Sequence, residues 1–137
     1  MKLKKAIVTS LVFSFLISTQ VFAAGQTSSQ TLWLPENTWV GIYAQKTTTA
    51  QKAYSRCTAV YPSSGDDNYT RVKSRCSDAT GYTCISAKDE YVLYETATGY
   101  TTMTFANYVS KGTYFIIDYK GNNPELAAYA DVECDFN

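Results

Sequence analysis

From Ala127 to Phe136 the chain alternates without a break, and that single pattern limits its folds more than anything else in the sequence. Ala128, Ala130, Val132, Cys134 and Phe136 share one side, while Tyr129, Asp131, Glu133 and Asp135 share the other. A period of two is that of a strand with one buried and one wet face. The same logic applies to Tyr69–Ser77, where Val72 and Cys76 lie opposite Arg71, Lys73 and Arg75.

Further runs suited to a pleated surface are Thr31–Leu34, Trp39–Gln45, Lys52–Tyr61, Tyr82–Ser86, Glu90–Thr96, Tyr100–Ala106 and Thr113–Lys120. Turn chemistry separates them at Pro62-Ser63-Ser64-Gly65, at Thr98-Gly99, at Lys111-Gly112 and at Gly121-Asn122-Asn123-Pro124. Nine short strands with such spacing predict an all-β fold, an antiparallel two-sheet β-sandwich of the jelly-roll or Ig-like kind. Ala106–Ser110 and Pro124–Ala128 are the two places where a single helical turn competes.

The N-terminal end has a different character. Lys2, Lys4 and Lys5 precede an uncharged apolar stretch from Ala6 to Phe22, and Val21-Phe22-Ala23 closes it with small residues at the positions a signal peptidase reads. The expectation is a signal peptide over 1–23, a flexible Gly/Ser/Thr/Gln leader over 24–31 and one β domain over 32–137, secreted to the extracellular space. An uncleaved anchor fits less well, because the stretch is short and interrupted by Ser and Thr. No later segment is apolar enough to span a membrane, so no membrane span is expected in the mature form.

Removing the signal peptide also removes three of twelve basic residues, leaving nine against twelve acidic ones and a net charge of −3. General attraction to nucleic acid is therefore not expected. Cys57, Cys76, Cys84 and Cys134 all fall in the exported part, and an even count there predicts two disulfides, with Cys57–Cys134 and Cys76–Cys84 as the preferred pairing. Their spacing does not suit a zinc site, and no metal or other cofactor is expected.

The chain has no histidine, so a Ser-His-Asp or Cys-His arrangement cannot be assembled. Paired carboxylates are the remaining route to catalysis, with Glu90, Glu95, Asp118 and Glu133 as candidates for a small glycosidase. No motif supports them, and the reading leans against an enzyme. Binding is the better expectation. Arg71, Lys73 and Arg75, with Arg56 and the nearby Tyr69, could form a patch for an anionic glycan or cell-surface protein. The basic ladder could equally pair with the acidic ladder of the last strand. Twelve Tyr, six Phe and two Trp supply rings that stack on sugars if they stand outside the core. The leading function is thus a secreted non-enzymatic binding module, and the alternative is a secreted antagonist such as a bacteriocin-like toxin or enzyme inhibitor.

Overall fold

Burial alternates along the strands as the sequence pattern demands, and it sorts them into two sheets. The computed structural model describes residues 27–63, 70–122 and 127–135. Eight strands appear there: β1 Thr27–Leu34, β2 Val40–Gln45, β3 Lys52–Pro62, β4 Arg71–Asp78, β5 Tyr91–Tyr94, β6 Thr101–Thr104, β7 Tyr114–Gly121 and β8 Ala128–Asp135. They form two four-stranded antiparallel sheets, one in the order β1-β8-β3-β6 and the other in the order β2-β7-β4-β5. The protein is all-β, and no helix occurs among the described residues. Among those residues there is accordingly no helix long and apolar enough to cross a membrane.

The inner faces of both sheets meet in one core, and their side chains are complementary in size. Strands β3 and β8 contribute small buried residues, Ala53, Ser55, Cys57, Ala128 and Ala130, while β7 sends Phe115, Ile117 and Tyr119 toward them. Large against small is how facing layers interdigitate without voids. Phe115 meets Phe105 edge-on at 5.4 Å between centroids. The fully buried Tyr119 hydroxyl is hydrogen-bonded to the Ser55 hydroxyl, which ties one sheet to the other.

Three expectations change. β1 begins at Thr27 rather than Thr31, because Thr27–Leu34 pairs along its whole length with β8. Tyr82–Ser86 is not a strand. It makes only isolated bridges, Ser77 with Cys84 and Ser86 with Phe105, and hydrogen bonds such as Ile85 N to Cys76 O. The two disulfides are not formed: Cys57, Cys76, Cys84 and Cys134 are all free thiols.

The register gives the reason. Cys57 stands opposite Val132 and Cys134 opposite Ser55, so the two cysteines are diagonal neighbours. Diagonal positions on adjacent strands lie roughly 7–8 Å apart, beyond the Cα separation of about 4.4–6.8 Å that a disulfide spans. Cys84 is opposite Ser77 and not Cys76. Burial pushes the Cys57 and Cys134 thiols up to about 12 and raises that of Cys76 as well, which keeps all three protonated and unreactive.

One irregularity in β3 decides which side chains reach the surface of its sheet. Between Cys57 and Ala59 the β3–β8 register shifts by one residue, leaving Thr58 as a β-bulge. Cys57 faces the core before the bulge and Val60 faces it after. In an unbroken strand Tyr61 would share the inner side with Ser55 and Cys57. The bulge reverses that parity and turns Tyr61 outward.

Candidate functional site

Arg71, Lys73 and Arg75 do line the outer face of β4, as their alternation predicts. Each has a partner there. Lys73 Nζ lies 2.7 Å from Glu90 Oε2, and Lys120 Nζ from β7 lies 3.1 Å from the other oxygen of the same carboxylate. Hydrogen bonding to Lys73 first, and then Lys120, holds Glu90 below the usual carboxylate range. Arg75 Nε is 3.1 Å from Asp118 Oδ2, and its guanidinium lies over the Trp39 ring at 4.5 Å, a ring that Lys120 also approaches at 4.5 Å. Arg71 lies 5.7 Å over Tyr94 and donates to its hydroxyl at 3.3 Å.

Arg56 is on the other sheet, so the structure does not gather the four cations into one patch. It is 2.7 Å from Glu133 Oε2 on β8 and lies 4.9 Å over the Tyr100 ring. Tyr69 lies outside the described residues. The acidic ladder of β8 and the basic ladder of β4 belong to different sheets and cannot pair with each other. Neighbours in the same sheet pair with some of these charges instead, Arg56 with Glu133 and Asp118 with Arg75.

The candidate carboxylates are equally engaged. Asp118, whose side chain is only 5% exposed, is raised by burial even with Arg75 beside it. Glu95 Oε2 accepts the Val60 backbone N–H at 2.9 Å. Glu133 is held low by Arg56 and by the Tyr100 hydroxyl, which donates to it at 2.9 Å. Glu133 stands on the outer face of one sheet, whereas Asp118 stands on that of the other. These two therefore do not oppose each other across a cleft, as glycoside hydrolysis requires.

A different surface emerges on the outer face of the β1-β8-β3-β6 sheet. Trp33 on β1 is directly opposite Tyr129 on β8, and Tyr129 is directly opposite Tyr61 on β3. The three rings form a row across three adjacent strands, exposed by 44%, 51% and 53% respectively. Trp33 and Tyr129 are in contact at 4.7 Å between centroids, with their planes tilted by 54°. Two residue pairs further along, on the same face, Asp131 accepts hydrogen bonds from the Thr31 hydroxyl on one oxygen and, at 3.1 Å, from the Tyr61 hydroxyl on the other. That bond to Asp131 is the main cause raising the Tyr61 phenol. Beyond it lies the Arg56–Glu133–Tyr100 cluster.

This surface is partly readable from the sequence. Alternation already assigns Tyr129 and Asp131 to the wet face of the last strand, and Trp33 alternates with Leu32 and the fully buried Leu34. Tyr61 is not assignable in this way, because nothing in Lys52–Tyr61 marks Thr58 as the extra residue.

Compared with protein-family models, with curated proteins and with solved structures, the chain has no match.

Proposed function

We propose that this chain is a secreted binding module that takes an extracellular glycan on the outer face of the β1-β8-β3-β6 sheet. The observation that carries the reading is the contiguous row of Trp33, Tyr129 and Tyr61, three half-exposed rings at neighbouring positions on a rigid sheet. Isolated apolar residues on a surface need no explanation, but a contiguous aromatic patch on a monomeric domain marks an interaction site. Aromatic rings offer broad apolar faces to the C–H faces of sugars, and each carries a large contact area at small entropic cost. Asp131, Glu133 and Tyr100 border the row with groups that exchange hydrogen bonds with hydroxyls.

The scaffold reading is a jelly roll rather than an Ig-like sandwich. Its support is the strand order, β1-β8-β3-β6 in one sheet and β2-β7-β4-β5 in the other, in which each sheet combines early and late strands. Eight strands wound as two Greek keys give such a pairing. The analogy to lectin-like jelly rolls is one of architecture, and the functional reading rests on the row itself.

The test is retention of the purified chain, without residues 1–23, on a panel of immobilised polysaccharides. Retention that is lost in Trp33→Ala and Tyr129→Ala, with an unchanged unfolding midpoint, supports the reading. Absence of retention on every polysaccharide, together with clearing of a bacterial lawn by the same preparation, would favour the antagonist instead.

A further inference from the structure

We infer that the ligand is a neutral polysaccharide taken as a single hydrated chain lying across the strands, not a polyanion and not a crystalline polymer surface. This deepens the glycan reading and rests on it.

Direction comes from the register. Trp33, Tyr129 and Tyr61 occupy one position on each of three neighbouring strands, so the row runs perpendicular to the strand axes. Neighbouring strands are about 4.8 Å apart, which makes the row roughly 10 Å from first strand to last. An extended polysaccharide laid along it presents successive sugars to successive rings.

Shape comes from the tilt. A crystalline polymer face is flat and asks for coplanar rings, but the Trp33 and Tyr129 planes differ by 54°. A single chain rotates from one sugar to the next and can follow such a turn. Asp131 holds Tyr61 at its hydroxyl and so fixes the third ring.

Charge excludes the polyanion. Asp131 lies beside the row and is met by the hydroxyls of Thr31 and Tyr61, with no cation paired to it among the described residues. The nearest cation along β3, Arg56, is tied to Glu133. A polyanion lying along the row would bring like charge against Asp131 with no cation beside it, among the described residues, other than the Glu133-bound Arg56. A neutral sugar meets acceptors instead, since each carboxylate oxygen can accept a second hydrogen bond after the one it already receives.

The experiment is affinity electrophoresis of the purified chain, without residues 1–23, in native gels. The gels contain soluble neutral polymers (hydroxyethyl cellulose, mixed-linkage glucan, glucomannan, amylose) or soluble polyanions (alginate, polygalacturonate, hyaluronan). Sedimentation with microcrystalline cellulose and crystalline chitin runs in parallel. The expected result is retardation by at least one neutral polymer, unchanged between low and high salt, with affinity reduced about tenfold or more in Trp33→Ala. Asp131→Lys, which removes the acceptors and reverses the charge beside the row, weakens neutral binding and gains retardation by polyanions at low salt. Binding only to polyanions, or capture by crystalline polymer with no retardation by soluble chains, overturns this inference while leaving glycan binding intact. No interaction with any polymer overturns both. Urea midpoints of the variants separate a lost contact from a lost fold, and Trp33→Phe, which keeps a ring, restores binding if the ring is what matters.

Discussion

The hydrogen bond between Ser55 and Tyr119 joins the two sheets through polar atoms inside the core, and removing its partners one at a time tests whether they hold each other. Both side chains are fully buried, and the Ser55 hydroxyl also reaches the Glu133 carbonyl at 3.2 Å. The consequences of removing each partner are unequal. Tyr119→Phe deletes one hydroxyl and leaves Ser55 its bond to Glu133, a loss of about 1 kcal/mol for a neutral hydrogen bond. Ser55→Ala leaves a buried phenol without its closest partner, at a cost of roughly 1–3 kcal/mol. Removing both eliminates the orphaned phenol, so the double variant is less destabilised than the two single effects combined, by about 1 kcal/mol of coupling. Urea unfolding followed by circular dichroism measures this, with a constant m-value as the check that the unfolded state has not changed. In thermal scans of a domain this size each kcal/mol corresponds to roughly 4 °C in Tm. Additive effects, or a Tyr119→Phe variant as stable as the parent, would refute the claim that the two hydroxyls hold each other.

The same geometry gives three further expected outcomes. Under native conditions a thiol reagent labels Cys84, the half-buried one, while Cys57, Cys76 and Cys134 react only on unfolding; a native protein with no titratable thiol would contradict the free cysteines. Glu133 is held low by Arg56, so as pH falls through the ordinary carboxylate value the unfolded chain takes up a proton that the folded chain refuses, and stability is lost in that direction. Glu133→Gln therefore flattens the fall of Tm between about pH 5 and pH 3, and an unaltered slope would count against the pair. Deleting Thr58 leaves Ala59 opposite Asp131, Val60 opposite Ala130 and Tyr61 opposite Tyr129 in a regular ladder, losing only the Thr58 hydroxyl bond to the Asp131 carbonyl. That deletion is expected to shift stability by no more than about 1 kcal/mol, whereas a variant that unfolds would show the bulge to be needed for more than parity.

Much of the architecture is legible in the sequence because it is written in period two. Val72 and Cys76 against Arg71, Lys73 and Arg75, and Ala130 and Val132 against Tyr129 and Asp131, each take the faces their alternation assigns. Pairing is not legible, because alternation fixes which way a side chain points and says nothing about which strand lies beside it. The β4 cations and the β8 carboxylates look complementary in the sequence, yet they occupy outer faces of different sheets. Local partners engage most of them instead: Glu90 serves two lysines, Asp118 pairs with Arg75 and Glu133 with Arg56, while one buried oxygen of Asp135 has no partner among the described residues. A chain can carry balanced charge ladders without using them on each other.

The candidate surface is harder to foresee for a reason that lies in one residue. Strict alternation through Lys52–Tyr61 puts Tyr61 on the side of Ser55 and Cys57, where its bulk would compete for the space that Tyr119 and Ile117 fill. Inserting Thr58 as a bulge lets the first half of β3 bury Ala53, Ser55 and Cys57 and the second half bury Val60. Small residues face the large rings of β7, and the remaining tyrosine is expelled to the outside, next to Tyr129. The aromatic row is thus a consequence of how the core is filled as much as of the residues in the row. Two levels of perturbation are linked in this way: a substitution at Tyr61 acts on the surface alone, while a residue inserted between Asp131 and Val132, which gives Thr58 a partner, would make the ladder regular and turn Tyr61 and Tyr129 to the core together without altering any residue in the row.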